Sequence, residues 1–184
     1  MKFSTGLAGI SAALLVATLA APTASAADGT ASTGGAPVAT VTIQGITVDK
    51  QASDTTKSIV AADAEVAAAA ANACGTGYTI SVSAARYGTY GTTYTWTNGK
   101  TTGSSYYDKP ICAVFFNDTG VAHPMRLKLA DNYTSTADVE DSGTFSSYAG
   151  PLYQNRGYCG QAYSYMKVGT TVVVDNYLTV GACN

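Results

Sequence analysis

The sequence predicts an all-β domain, either an antiparallel β-sandwich or a small β-barrel with two disulfides, preceded by a signal peptide and a flexible or helical leader. Three observations support this prediction. Short apolar and β-branched runs alternate with turn-forming residues through the C-terminal part of the 184-residue chain. All four cysteines and all 13 tyrosines lie in that part. A short apolar segment followed by a small-residue cleavage motif stands at the start of the chain.

Residues 1–26 are predicted to be a signal peptide. Lys2 supplies a positive charge, an apolar run extends from Leu7 to Ala21, and Ala24-Ser25-Ala26 has small residues at both recognition positions. The run holds about fifteen residues, fewer than the ~20 that span a bilayer, so an uncleaved membrane anchor is disfavoured. We expect cleavage after Ala26 and an extracellular, secreted protein that does not associate with the membrane afterwards.

Residues 27–72 are predicted to be a low-complexity leader, because they contain no aromatic residue and no cysteine. Asp28–Pro37 is rich in Gly, Ser, Thr and Ala, a composition typical of flexible segments. Residues 58–72 predict an alanine-rich helix that has Asp54 or Ser58 as its N-cap and Gly75 as its stop. A strand-like patch precedes the helix, formed by Val41, Ile43, Ile46 and Val48. The leader is interpreted as a weakly docked spacer or as a cleavable pro-segment.

Residues 73–184 are predicted to be the disulfide-stabilised β domain. Asn98-Gly99 predicts a tight hairpin, and Asn117–Gly120 and Asp141–Gly143 predict further turns. Alternating apolar residues from Met125 to Leu129 are typical of a half-buried strand. The eight predicted strands are Tyr78–Ala85, Thr92–Thr97, Ile111–Asn117, Met125–Leu129, Thr144–Tyr148, Tyr158–Val168, Thr170–Asp175 and Tyr177–Val180.

The four cysteines are predicted to form two disulfides, as is usual in exported chains of this size. Three pairings are open, and we favour Cys74–Cys112 with Cys159–Cys183 because neighbouring β-ribbons can be joined locally. No C-x-x-C motif occurs and His123 is the one histidine, so the sequence predicts no metal site.

Charge and motifs exclude several classes of function. Charged residues make up 12% of the chain, about half the roughly 25% typical of globular domains, and the net charge of −2 offers no cationic surface for nucleic acid. His123 precedes Pro124 without a nucleophile motif, and is interpreted as a solvated loop residue. Asp138, Glu140 and Asp141 are interpreted as charged surface and not as an acid–base pair or calcium ligands. No catalytic residue and no cofactor is predicted.

The tyrosines supply the remaining candidates for ligand binding. Five are predicted to cluster around Trp96, namely Tyr87, Tyr90, Tyr94, Tyr106 and Tyr107. A second group contains Tyr148, Tyr153, Tyr158, Tyr163 and Tyr165. Such rings stack on sugars or anchor partners, or they form cross-strand pairs that stabilise a sheet without any ligand. The candidate ligand contacts are Trp96, Tyr106, Tyr107, Tyr148 and Tyr153.

One set of short motifs resembles a known family. The motifs are Cys74-Gly75 with Gly77-Tyr78, Cys112-Ala113-Val114, the run from Asp141 to Pro151 that contains Tyr148-Ala149-Gly150-Pro151, Cys159-Gly160, and Cys183 near the end. Over about residues 73–184 they resemble the spore-associated protein A family of actinobacteria. The resemblance implies a secreted protein associated with the spore or cell surface, and it transfers no catalytic residue.

Together these observations predict a secreted, non-catalytic protein of the spore or cell surface. Its expected partner is spore-coat or cell-wall polysaccharide. A carbohydrate- or small-ligand-binding β-sandwich module is the alternative, followed by a secreted hydrolase or protease inhibitor.

Overall fold

A computed structural model describes residues 37–183, which form ten strands and two helices. The signal peptide predicted for residues 1–26 and the start of the leader lie outside the described residues. The strands are β1 (Thr40–Ile43), β2 (Ile46–Asp49), β3 (Ile80–Tyr87), β4 (Gly91–Thr97), β5 (Ile111–Asn117), β6 (His123–Leu129), β7 (Val139–Phe145), β8 (Tyr148–Gln154), β9 (Gln161–Val168) and β10 (Thr171–Thr179). The helices are α1 (Asp54–Ala62) and α2 (Ala64–Cys74).

The strands form two sheets that share one apolar core. The large sheet has the order β1-β2-β3-β4-β5-β8, and the small sheet has the order β10-β9-β6-β7. Within residues 37–183 neither sheet closes into a barrel. The large sheet contributes Val82, Ile111, Ala113 and Phe115 to the core, and the small sheet contributes Met125, Leu127, Leu129, Ala162, Met166 and Val174. The alternation predicted from Met125 to Leu129 is confirmed, since these side chains point into this core.

The two helices pack on the other face of the large sheet. A second apolar core between them and the sheet contains Val48, Val60, Ala67, Ala70, Tyr94, Trp96 and Val114. Helix α1 begins after Ser53, whose Oγ accepts a hydrogen bond from the backbone N–H of Thr56 at 3.1 Å. Gly75, with φ of 87°, ends α2 as the sequence predicts. Residues 58–72 are helical as predicted except at Asp63, whose non-helical backbone (φ −135°) divides the segment into two helices.

The boundary predicted at residue 73 does not divide the packing, because residues 40–74 belong to the same folded body. Val48 pairs in parallel with Ser81 of β3, and Thr56 Oγ1 accepts a hydrogen bond from the Ala84 backbone N–H at 3.1 Å. The helices carry few large apolar side chains, but their alanines allow a close approach to the sheet. The fold is therefore mostly β, with one parallel strand pair and a helical layer that the sequence analysis left outside the domain.

Both favoured disulfides are confirmed. Cys74–Cys112 ties the end of α2 to β5, and Cys159–Cys183 ties the loop before β9 to the residues after β10. Two such cross-links indicate an oxidising environment. Of the helices described, neither is long and apolar enough to cross a membrane.

Most predicted strands match the observed ones to within a few residues, but four turn or strand predictions are wrong. Asn98-Gly99 starts a long loop, residues 98–110, and not a tight hairpin. Asp141–Gly143 lies inside β7, because these residues pair with Met125–Leu127 of β6, and the chain turns at Ser146-Ser147 instead. The predicted strand Thr144–Tyr148 therefore spans this turn, and the two predicted strands after residue 170 are one strand, β10. The turn predicted at Asn117–Gly120 is confirmed.

A buried polar cluster connects the end of β2 to Tyr158, which lies in the loop before β9. The Tyr158 hydroxyl donates a hydrogen bond to Asp49 Oδ2, and both residues are buried. Lys109 is buried beside them, donates to the Tyr106 carbonyl oxygen, and has its Nζ 3.2 Å from the centroid of the Tyr106 ring. Burial lowers the pKa of Lys109, while the Asp49 carboxylate opposes that shift. Burial and the hydrogen bond to Asp49 raise the pKa of Tyr158.

Asp108 anchors the loop of residues 98–110. It is 2% exposed and accepts hydrogen bonds from the Ser105 backbone N–H at 3.0 Å, the Tyr133 hydroxyl at 2.8 Å and the Asn132 amide at 3.4 Å. Burial acts to raise the pKa of Asp108, but these hydrogen bonds outweigh it and hold the pKa below the usual value of 3.8.

The loop should therefore contribute to acid unfolding. Because the pKa of Asp108 is lower in the folded than in the unfolded chain, its contribution to stability is complete above pH 3.8 and is lost as the pH falls through the folded pKa. We expect the free energy of unfolding to fall more steeply in acid for the wild type than for Asp108→Asn. Urea unfolding between about pH 2 and 7 measures this difference. Parallel pH profiles for the two proteins would contradict it.

Candidate functional site

The outer face of the small sheet carries tyrosines and charged side chains in register. Because side chains alternate along a strand, the residues between the core positions of β6 and β9 point outwards. Pairing across the sheet places them in two rows. One row is Tyr177, Tyr163, Lys128 and Glu140, and the other is Asp175, Tyr165, Arg126 and Ser142. We call this surface the aromatic face.

Two of its tyrosines form an exposed pair. The ring centroids of Tyr163 and Tyr177 are 4.7 Å apart with an angle of 40° between the rings, and Tyr177 is 64% exposed. The Tyr163 hydroxyl donates a hydrogen bond to Asp175 Oδ1 at 3.0 Å. Partial burial, together with this hydrogen bond, raises the pKa of Tyr163. The Tyr163 ring is thus held in place while the Tyr177 ring meets the solvent.

Ion pairs flank the tyrosines. Arg126 Nε lies 2.7 Å from Glu140 Oε1, and Lys128 Nζ lies 2.6 Å from Asp138 Oδ2. Each carboxylate raises the pKa of its cationic partner through a hydrogen bond. Both pairs are partly exposed, so water competes for them and they contribute little to stability. Their polar groups remain accessible to a hydroxyl-rich ligand.

The aromatic face is concave on one side. Tyr163, Tyr165 and Arg126 line an open depression of about 730 Å³. Ser142 and Gly143 of β7 line it as well. The arrangement offers rings at one side and hydrogen-bonding groups at the other.

The candidate acidic residues are distributed over two faces. Asp138 and Glu140 are on the outside in ion pairs, as expected for charged surface. Asp141 is half-buried, because it pairs with Leu127 of β6 and its Oδ2 accepts a hydrogen bond from the Gly150 backbone N–H. His123 is not a loop residue but the first residue of β6, and it is half-buried.

The five candidate ligand contacts do not form one site. Trp96, 1% exposed, and Tyr153, 44% exposed, share the helix-facing side of the large sheet, where both flank Cys112 on neighbouring strands. Tyr148 lies at the other end of β8 and packs on Phe116, with ring centroids 5.5 Å apart.

The predicted cluster of tyrosines around Trp96 is wrong. Tyr106 and Tyr107 are half-buried and pack against Tyr158, with ring centroids 6.4 and 6.2 Å away. The long loop before β5 carries them there, away from the strand that holds Trp96.

Sequence reasoning missed Tyr177, Arg126 and Lys128 as members of a site. Tyr163 and Tyr165 were noticed because they stand two residues apart on a strand. Tyr177 lies beside Tyr163 only because β10 pairs with β9. The register of that pairing cannot be read from the sequence.

No group of three or more His, Cys, Asp or Glu side chains in the described part of the chain is placed to hold a metal ion. No protein-family model matches the chain, and no curated protein or solved structure is detectably similar to it.

Proposed function

We propose that this is a secreted, non-catalytic protein of the spore or cell surface that binds spore-coat or cell-wall polysaccharide through its aromatic face. The exposed pair of Tyr163 and Tyr177 is the observation that carries the proposal. The two disulfides and the sequence resemblance to the spore-associated protein A family support the compartment.

The chemistry of the aromatic face suits sugars. A pyranose ring offers C–H groups on its faces, which pack on aromatic rings, and hydroxyls at its edge, which bond to charged side chains. Tyr163 and Tyr177 supply rings on adjacent strands, and Arg126 and Lys128 supply donors beside them. An open, shallow surface of this kind takes a chain of sugars laid across the strands and does not require a deep pocket.

Replacing Tyr163 and Tyr177 by Ser should weaken binding of the purified protein to washed spores or insoluble cell-wall polysaccharide. Aromatic contacts contribute about 0.5–1.5 kcal/mol each, so two of them should change the dissociation constant by about tenfold. Depletion from solution, measured at several polysaccharide concentrations, gives that constant. Both tyrosines are partly exposed, so the variant should remain folded.

Tyr90→Ser and Tyr148→Ser are matched controls, because each residue is 37% exposed and belongs to the large sheet's side of the protein, Tyr90 in the turn between β3 and β4 and Tyr148 on β8. They should bind as the wild type does. Equal binding by the double variant and the wild type would contradict the proposal. So would turnover of wall polysaccharide that is abolished by Asp138→Asn with Glu140→Gln, since the protein would then be an enzyme.

A further inference from the structure

The charged side chains of the aromatic face balance one another. One of its rows carries Lys128 and Glu140, and the other carries Arg126 and Asp175, so each row holds one cation and one carboxylate. Lys128 also pairs with Asp138, which lies just before β7. A ligand laid across the strands therefore meets charges of both signs and no cationic surface.

One further cation borders the face. Lys167 follows Met166 on β9, and because Met166 points into the core, Lys167 points outwards with Tyr163 and Tyr165. Among residues 37–183 no carboxylate forms an ion pair with Lys167. Lys167 does not line the depression beside the two tyrosines, and its charge offsets that of Asp138. The aromatic face and its border are therefore neutral as a whole.

The cations and the carboxylates of the face have complementary roles in hydrogen bonding. Arg126 and Lys128 only donate hydrogen bonds, and ionised Glu140 and Asp175 only accept them. Asp175 accepts one bond from the Tyr163 hydroxyl at 3.0 Å, and a carboxylate has room for several. Because a sugar hydroxyl both donates and accepts, it can bond to every one of these groups. A phosphate diester or a carboxylate on a ligand only accepts, so it can bond to the two cations alone.

An anionic ligand would also compete with the carboxylates that the cations already bind. Arg126 Nε lies 2.7 Å from Glu140 Oε1, and Lys128 Nζ lies 2.6 Å from Asp138 Oδ2. A phosphate at either cation would stand beside that carboxylate, and like charges placed side by side disfavour a complex. A neutral sugar leaves both ion pairs in place.

We propose that the polysaccharide bound by the aromatic face is uncharged, with hydroxyl groups but no phosphate or carboxylate groups. The equal numbers of donor-only and acceptor-only side chains beside the exposed Tyr163 and Tyr177 carry this inference. It rests on the proposed function, because it names the class of polysaccharide that the same surface takes. Anionic wall polymers are the class that it excludes.

The test compares two preparations of insoluble cell wall, one intact and one from which the anionic polymers have been extracted with acid. We expect the wild type to bind both with dissociation constants that agree to within about twofold. Raising the salt concentration from about 0.01 to about 1 M shortens the Debye length from about 30 to about 3 Å and should change neither constant by more than about twofold. Tyr163→Ser with Tyr177→Ser should weaken binding to both preparations about tenfold.

A variant with altered charge makes the test sharper. Asp175→Asn with Glu140→Gln keeps the size of both side chains, leaves an acceptor for the Tyr163 hydroxyl, and gives the face two excess positive charges. It should bind the intact wall at least about threefold more tightly than the wild type at low salt, lose that gain at high salt, and bind the extracted wall as the wild type does.

Asp54→Asn with Glu65→Gln is the matched control. It changes the net charge by the same amount at two exposed residues of α1 and α2, which pack on the large sheet. This control should bind both preparations as the wild type does.

Loss of wild-type binding on extraction, or a dissociation constant that rises more than about threefold with salt, would overturn the inference. The proposed function would still stand in that case if the tyrosine variant binds less than the wild type. Failure of Asp175→Asn with Glu140→Gln to gain affinity for the intact wall would show that these charges do not select the ligand, and would overturn the inference too. A wild type that binds neither preparation, or a tyrosine variant that binds both normally, would contradict the proposed function and the inference together.

Discussion

Removing the Cys74–Cys112 disulfide by substituting both cysteines with Ala is expected to lower the free energy of unfolding by about 4 kcal/mol. The two residues are 38 apart in sequence, and loop-closure entropy in the unfolded chain gives this magnitude. Because domains are stable by about 5–15 kcal/mol in total, the loss is a large share. Urea unfolding followed by Trp96 fluorescence measures it.

The matched control is the Cys159→Ala with Cys183→Ala variant, whose residues are 24 apart and whose expected loss is about 3.5 kcal/mol. The two expected losses of stability are similar in size. The two bridges are therefore distinguished by which part of the protein loses its order. The first variant frees the end of α2 and should speed amide hydrogen exchange in α2, whereas the second should leave exchange in α2 unchanged. A first variant that is as stable as the wild type would show that other contacts hold α2.

The second large effect is expected from Asp49→Ala, which should destabilise the protein by about 3 kcal/mol. Asp49 accepts hydrogen bonds from the Tyr158 hydroxyl and from the Gln51 backbone N–H. Its removal leaves the Tyr158 hydroxyl buried without its acceptor and takes a carboxylate away from the buried Lys109. Breaking a buried polar network from one side typically costs about 3–5 kcal/mol.

Lys109→Met is the informative comparison, because Met has a similar length and brings no charge into the interior. Its effect on the free energy of unfolding should stay within about 1 kcal/mol, since burying an amine is costly in the first place. In a double-mutant cycle, Asp49→Ala should cost less when Lys109 is already Met. If Asp49→Ala leaves stability within about 0.5 kcal/mol of the wild type, residues 40–49 are not integral to the fold.

The fold is predictable from the sequence where the signal is local. Ile111–Asn117 is a largely apolar run and its predicted bounds are correct, and both disulfides were expected to join neighbouring β-ribbons. Strand β7 is not predictable in this way, because Asp141–Gly143 has the composition of a turn. Its strand conformation comes from pairing with β6.

The docking of residues 40–74 was not predictable from hydrophobicity. Ala67 and Ala70 are completely buried, yet each removes little apolar area from water. Their contribution is a close fit between helix and sheet, which depends on the shape of the sheet and not on their own sequence pattern.

The hydrogen bond from Tyr158 to Asp49 joins residues 109 apart in the sequence. It can form only after Tyr158 has been added to the growing chain. Synthesis reaches Asp49 early, but its acceptor oxygen stays in water until most of the chain has followed. The small sheet adds to the delay, since its β10 edge strand is the last element made. Chains whose contacts are this distant fold late and comparatively slowly. The contact between β2 and the segment before β9 is therefore among the last to form in a newly made chain.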